Sequence, residues 1–431
     1  MTQLLQKVRV IDPVTKIDEL FDVLIGDGYI QEVASHITDI SPDTPIRDCR
    51  GLVIGPGLVD LYSHSGEPGF EERETLLSLL QSATAGGFTR ISILPDTSPA
   101  IDNPALVTQL QQKRHGKMKE REKINSAPPT SPLPLLYLWG AITLDVAGKQ
   151  MTELADLASA GVVGFSDGKP LENLALVRRV LEYVQPLGKP LAFWPSDRQL
   201  AANGVMREGA NALRFGLPPI PASAETSAIA ALLELVATIG TPVHIMRVST
   251  SRSVELIASA KAAGLPITAS TTWMHLLLDT KAVKSYNTSL HLDPPLGNPN
   301  DVAALRAGVR AGVIDAIAID HTPYSYEEKV QAFAEAPPGA IGLELALPLL
   351  WQYLVETEEF TALELWRALS ASPAECLGQK VSAILPHQPA ELTLFDPEQT
   401  WKVERKSLYT LSQNTPWLGQ QLKGHVVQTW C

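Results

Sequence analysis

Apolar positions along this chain recur with two periods, and the change of period divides it. Over roughly the first 50 residues they alternate with polar ones in short runs: KVRVID, DVLIGDGYIQEVA and RDCRGLVIG. Alternation at period two predicts strands, and Gly26-Asp27-Gly28 is a hairpin signal between two of them. The C-terminal stretch has the same texture in AELTLFDP, WKVERKSLYT and HVVQTW. Between these ends, short β-rich runs alternate with segments whose apolar residues fall at helical spacing. Eight such runs are read: GLVDLYSH (57–64), FTRISILP (88–95), LLYLWGAI (135–142), GVVGFSD (161–167), PLAFWPS (190–196), PVHIMRVS (242–249), LPITASTT (265–272) and IDAIAIDH (314–321). The segments between them include LENLALVRRVLEYVQPLG, SVELIASAKAAG and DVAALRAGVRAG, each ending in a glycine that can cap a helix.

Strand–helix alternation repeated eight times predicts an α/β fold, a (β/α)8 TIM barrel. An open doubly wound sheet is the alternative, but no GxGxxG opens the first unit. Residues 1–54 and 385–431 are expected to build one small β domain from both termini, around a barrel spanning 55–384. The stretch QQKRHGKMKEREKINSAPPTSPLP (111–134) breaks the rhythm. It reads as a solvated helix end followed by a surface loop, or as a partner contact.

Composition narrows the function. The 431 residues are 45% apolar, enough for a large core, and carry a net charge of -12. Phosphate binding needs a basic surface, so nucleic acid and anionic membrane are not expected partners. No apolar run approaches the ~20 residues that span a bilayer. The N-terminus lacks a signal peptide's apolar segment. Cys49, Cys376 and Cys431 are scattered and form no CxxC, which fits a reduced, cytoplasmic location.

A barrel places its chemistry at the C-terminal ends of the strands. Read in order, those ends carry Tyr62 and His64, Pro95 and Asp96, Gly140, Asp167, Trp194, Arg247, Thr271 and Thr272, then Asp320 and His321. A two-metal hydrolytic site needs about four imidazoles plus carboxylates, because nitrogen and oxygen donors hold zinc and zinc makes hydroxide near neutral pH. These ends supply two histidines and two clear carboxylates. Trp194 and Arg247 stand where further ligands belong; an indole has no lone pair to give and a guanidinium repels a cation.

Several blocks in register resemble the dihydroorotases of the amidohydrolase superfamily over nearly the whole chain. They are GLVDLYSHSGEPGFEERETLLSLLQSATAGGFTRISILPDTSPAIDNP, GVVGFSDGKPL, HIMRVSTSRSVELI, LDPPLGNPNDVAALRAGVRAGVIDAIAIDHTPYSYEEK, APPGAIGLELALPLL and NTPWLGQQLKGHV. The resemblance implies a zinc-dependent cyclic amide hydrolase of pyrimidine synthesis, and it makes the departures meaningful. In the family's Asp-x-His-x-His-x-Arg-Glu-Pro-Gly motif, Tyr62 replaces the first metal histidine and Gly66 the arginine that clamps the substrate carboxylate. Asp96 replaces the substrate-holding asparagine. Trp194 and Arg247 replace two further metal histidines, Asp293 an asparagine, and Tyr324 the final histidine of Ala-Thr-Asp-His-Ala-Pro-His. His64, Asp167 and Asp320 remain as ligand positions, Asp320 being the family's catalytic acid–base, and His321 remains as a substrate position.

The resemblance further implies that a chain so altered is a non-catalytic partner of aspartate transcarbamoylase, and a homodimer. No cofactor is then expected. An active amidohydrolase holding one zinc on His64, Asp167 and Asp320 is the alternative, and a small-ligand sensor a third. Arg247 is expected to pair with Asp320, Asp167 and Asp96 in place of the lost metal charge, with Trp194 filling the vacated volume.

Overall fold

The computed structural model describes residues 2–113, 133–170 and 172–431. Residues 114–132, most of the charged stretch noted above, lie outside the described residues. The N-terminal residues form β1 (Gln3–Asp12), β2 (Ile17–Gly26), β3 (Tyr29–Ala34), β4 (Ile46–Asp48) and β5 (Val53–Pro56). β1, β2 and β3 pair antiparallel, and the β2–β3 hairpin turns at Asp27 and Gly28, both at positive φ. Two consecutive left-handed residues match the twist of the flanking strands, which is why Asp-Gly suits the turn.

Eight strands follow: β6 (Leu58–Ser63), β7 (Phe88–Ile93), β8 (Leu135–Gly140), β9 (Gly164–Phe165), β10 (Ala192–Phe193), then β13 (Val243–Ile245), β14 (Ile267–Thr272) and β15 (Ala316–Ala318). Each falls inside one of the eight runs read from the sequence. A two-residue parallel pair, β11 (Met206–Arg207) and β12 (Pro219–Ile220), lies between β10 and β13 outside the ring. β6 to β9 form one parallel ladder and β10, β13, β14 and β15 another. A bridge between Phe165 and Leu191 joins β9 to β10. The ring closes where His64 N donates to His321 O at 2.8 Å and Asp320 N to Tyr62 O at 3.1 Å, between the ends of β6 and β15.

The helices lie where the 3.6-residue period placed them, among them Leu174–Val184, Ser251–Ala262 and Pro299–Arg310. Their apolar faces and the outer faces of the strands form the largest core cluster. A smaller cluster fills the barrel itself, with Val59, Leu61, Tyr62, Leu94, Trp139, Trp194 and Met246 among its members. The barrel interior is thus packed, as in other closed (β/α)8 barrels.

The chain returns to the first sheet through β16 (Leu392–Lys402), which pairs with β5, and β17 (Gln421–Trp430), which pairs with β16. Both termini therefore build one seven-stranded sheet. One expected strand is different: of WKVERKSLYT only Trp401 and Lys402 extend β16. Arg405–Ser407 is a single 3-10 turn, and the residues after it leave the sheet to pack against the barrel. Their backbone N–H groups are satisfied there by barrel carboxylates, Glu344 for Tyr409 and Thr410 and Glu74 for Leu411, so no ladder is needed.

Candidate site at the barrel mouth

A cavity of about 230 Å³ opens at the C-terminal ends of the strands, with His64, Asp96, Lys169, Trp194, Arg198 and Arg247 on one part of its wall. Trp273, His275, Asp293, Asp320 and Tyr324 line the rest. Its centre is one side chain. Arg247 Nε donates to Asp320 Oδ2 at 2.8 Å and Nη2 to Asp320 Oδ1 at 2.6 Å, a two-pronged pair. Nη1 donates to Gly168 O at 2.9 Å, and Nη2 lies 3.1 Å from His64 Nε2. His64 Nδ1 meets Asp96 Oδ2 at 2.7 Å. The guanidinium stacks 4.5 Å from the Trp194 ring centre. Arg198, bonded to Asp293 at 2.7 Å, lies 4.9 Å from the same ring.

This geometry sets the charges. Burial alone would raise the Asp320 carboxyl, but the Arg247 guanidinium and His64 hold it well below the usual carboxylate range. Burial likewise works against a charged His64, and Asp96 and Asp320 overcome it, lifting the imidazole to about 9. Asp96 is lowered against its own burial by His64. Arg247 is buried as well, and Asp320 more than offsets the desolvation, so it stays charged throughout.

The backbone is bent to make this pair. Arg247 and Asp320 both have positive φ, 55° and 52°. The left-handed region costs a non-glycine residue on the order of 1–3 kcal/mol. It is held here by over-determined contacts. Arg247 N donates to Tyr62 Oη at 3.1 Å, Tyr62 Oη lies 3.0 Å from Ser270 Oγ, and His244 Nε2 lies 2.8 Å from the same Ser270 oxygen.

Not every expected site residue reaches the cavity. Asp167 sits beneath it, accepting from Ile142 N (2.8 Å), Thr143 N (3.0 Å) and Thr143 Oγ1 (2.6 Å). The expected Arg247–Asp167 pair is absent: Arg247 bonds the carbonyl of the next residue, Gly168. His321 is fully buried behind β15, its Nε2 3.4 Å from Glu74 Oε2, while its Nδ1 accepts from Gly342 N at 3.1 Å. It cannot touch a ligand in the mouth, because the strand end turns Asp320 inward and His321 outward. Gly66 has no room for a side chain: a Cβ there would lie 2.4 Å from Glu74 O and 2.6 Å from Phe70 O. Tyr324 lines the cavity, its ring 5.0 Å from the Arg73 guanidinium.

Lys169, Arg198, Trp273 and His275 line the mouth without having been singled out by the sequence. Lys169 and Arg198 lie just past the strand ends, in DGKP and PSDRQ, where a count of strand termini does not look. His275 Nδ1 lies 2.7 Å from Thr272 Oγ1 and its Nε2 3.1 Å from Pro294 O, so both nitrogens are engaged.

Comparison with known proteins now places the chain. Residues 51–253 match the family described as Dihydro-orotase-like, and residues 225–431 the Amidohydrolase family. A "Probable dihydroorotase-like protein" of Synechocystis sp. is 45% identical over 442 residues, covering 99% of both chains. The chain belongs to the dihydroorotase-like family. A protein named dihydroorotase from Pelobacter propionicus is 38% identical, covering 100% of this chain and 98% of its own. Among solved structures, the L-hydantoinase (dihydropyrimidinase) of Arthrobacter aurescens superposes with a TM-score of 0.82 at 20% identity, over 100% of this chain and 94% of its own. That likeness establishes the shared amidohydrolase barrel.

Amidohydrolases are normally zinc-dependent, so the donor set of this dihydroorotase-like mouth can be tested against that metal. Zinc takes three or four N, O or S donors converging at 2.0–2.3 Å. Here Tyr62 is a phenol turned to Ser270, Trp194 offers no lone pair, and the 247 position brings a positive charge. His64 is held between Asp96 and the Arg247–Asp320 pair, its Nε2 only 3.1 Å from Arg247 Nη2, which leaves no room for a cation there. Among the described residues no group of three or more His, Cys, Asp and Glu side chains is arranged to hold a metal ion. The residues present do not fit a zinc centre, and no hydrolytic step follows through one.

Proposed function

We propose that this dihydroorotase-like chain does not carry out metal-assisted amide hydrolysis and serves pyrimidine biosynthesis as a non-catalytic structural or regulatory partner, with aspartate transcarbamoylase as the partner the family resemblance favours. One observation carries the first half: the Arg247 guanidinium, bonded to Asp320 and facing His64, stands among the remaining ligand positions. Asp320 is the family's proton carrier, but a carboxylate locked in a bidentate pair and held far below its ordinary range is a poor base. The second half is supported by the preserved scaffold: the packed barrel and β domain, and the buried Asn414, Thr415 and Trp417 of the NTPWLG segment.

Two measurements test this. The purified chain is assayed for zinc by elemental analysis and for interconversion of dihydroorotate and N-carbamoyl-aspartate. Stoichiometric zinc with turnover that a chelator abolishes overturns the non-catalytic half. The organism's aspartate transcarbamoylase is then purified with and without this chain. Full assembly and activity in its absence overturn the partnership. Sizing by light scattering checks the homodimer.

A further inference from the structure

Five strand ends meet at one cation. Arg247, past β13, bonds Asp320 past β15, Gly168 past β9 and His64 past β6, and its backbone N–H bonds Tyr62 within β6. Its guanidinium stacks on Trp194 at the end of β10. The Nε and both Nη nitrogens therefore all have partners, and the head group is almost fully buried, with 4% of the side chain exposed. Position 247 is fixed twice over, by its side chain and by the hydroxyl that holds its left-handed backbone. A metal ion at a barrel mouth ties strand ends together by the same logic, one positive centre with several oxygen and nitrogen ligands.

We infer that Arg247 is a built-in cation that performs the structural work of a metal: it clamps the ends of β6, β9, β10, β13 and β15 and neutralises the acids that a metal-free mouth would leave bare. This rests on the reading that the mouth holds no metal pair. It goes further, because it makes the guanidinium a measurable contributor to the stability of the fold and makes the centre a cation position that other chemistry could fill. Removing the side chain strips Asp320 of its two-pronged partner and leaves it only the His64 contact at 3.6 Å, a damaging way to break a buried ion pair. Replacing it by an imidazole, as in Arg247→His, places a third donor beside His64 and Asp320, whose Nε2 and Oδ1 are already only 3.6 Å apart.

The test is thermal unfolding of the full chain with zinc and with EDTA. The wild-type midpoint is expected to move with neither. Arg247→Ala is expected to melt roughly 3–6 °C lower, the effect of a broken buried pair spread over a protein of this size. Arg247→Lys, a point charge without the fork, is expected to recover part of that loss. Arg247→His is expected to gain zinc, seen as a midpoint raised by zinc and lowered again by EDTA, with bound zinc confirmed by elemental analysis. A wild-type midpoint lowered by EDTA overturns the inference, as does an Arg247→Ala midpoint equal to wild type. A folded Arg247→His chain indifferent to zinc overturns the claim that a cation position lies there. If a variant does not fold, the wild-type zinc and EDTA titration with Arg247→Lys still decides the clamp. Dihydroorotate turnover by the wild type is assayed separately, so an active enzyme and a dispensable Arg247 are distinguishable outcomes.

Discussion

Two neighbouring residues, Asp320 and His321, leave the same strand and enter opposite kinds of environment. Asp320 faces the mouth, where its two-pronged partner is Arg247, with Trp194 stacked over the guanidinium and His64 beside it. His321 faces the packed layer behind, where its partners are the backbone N–H of Gly342 and the carboxylate of Glu74. Glu74 in turn accepts from the hydroxyls of Ser78 and Thr410 and from Leu411 N. The difference teaches what each half depends on. The rear network satisfies backbone and side-chain groups that exist whatever the mouth contains, so it holds with or without a metal. The mouth instead balances charge against charge, Arg247 and His64 against Asp320 and Asp96, so it depends on its own cations.

The comparison breaks most easily at the rear. Glu74→Ala would strip a partner from Ser78, Thr410, Leu411 and His321 at once, and Ser78, Thr410 and His321 are buried. Each stranded buried group costs about 1–3 kcal/mol, so a loss on the order of 4 kcal/mol or more is expected. Expression yield and urea midpoint read it. A variant as stable as wild type would mean that the rear network is ornamental. Gly66→Ala comes next. Its Cβ would meet two backbone carbonyl oxygens, at 2.4 and 2.6 Å, and backbone cannot swing aside as a side chain can. Overpacking of this kind costs about 1–3 kcal/mol. The same clash means that an arginine cannot be returned to this position without moving the loop, so restoring metal ligands alone would not restore a carboxylate clamp.

Much of this was readable in advance, and the reasons differ by residue. All eight barrel strands fall within runs read from the sequence because each run is short, mostly apolar and bounded by turns, and several are separated by segments of helical spacing. The Arg247–Asp320 pair was expected because two charges at strand ends of one barrel must be neutralised together. That Asp167 takes no part was not readable. Its carboxylate is captured by Ile142 and Thr143, contacts between strands that no local pattern announces. Nor does a sequence reveal that Asp320 adopts a left-handed backbone that aims one side chain inward and its neighbour outward. WKVERKSLYT alternates well enough to read as a strand. The carboxylates of Glu344 and Glu74, distant in sequence, claim the backbone that follows it instead.

Tyr62→Phe sharpens the comparison within the mouth itself. The hydroxyl is all that the substitution removes, and it bridges Ser270 Oγ to the backbone N–H of Arg247. Both are buried, so loss of about 1–2 kcal/mol is expected in the urea midpoint, with packing of the ring unchanged. If Tyr62→Phe and Arg247→Ala lower stability additively, the hydroxyl does not support the clamp. A double-variant loss smaller than the sum would show that it does.

A last contrast is the pH dependence of His64, and its direction is fixed by the two carboxylates beside it. The imidazole rises from about 6.5 in the unfolded chain to about 9 in the fold, where Asp96 and Asp320 outweigh burial. A group whose folded value is raised stabilises fully below its unfolded value and loses that contribution as pH climbs through the folded one. The His64 contribution to stability should therefore decline between about pH 6.5 and 9, and His64→Gln, which keeps a hydrogen bond to Asp96 but cannot titrate, should lack that component. Asp320 gives the opposite slope at the acid end. Its lowered carboxyl stabilises above about pH 4 and loses that contribution as pH falls further, and His64→Gln should leave that limb in place. If the alkaline decline persists in His64→Gln, another group causes it and the imidazole between Asp96 and Arg247 is neutral throughout. The 3.1 Å contact from Arg247 Nη2 to His64 Nε2 would then be a donor meeting a lone pair at every pH.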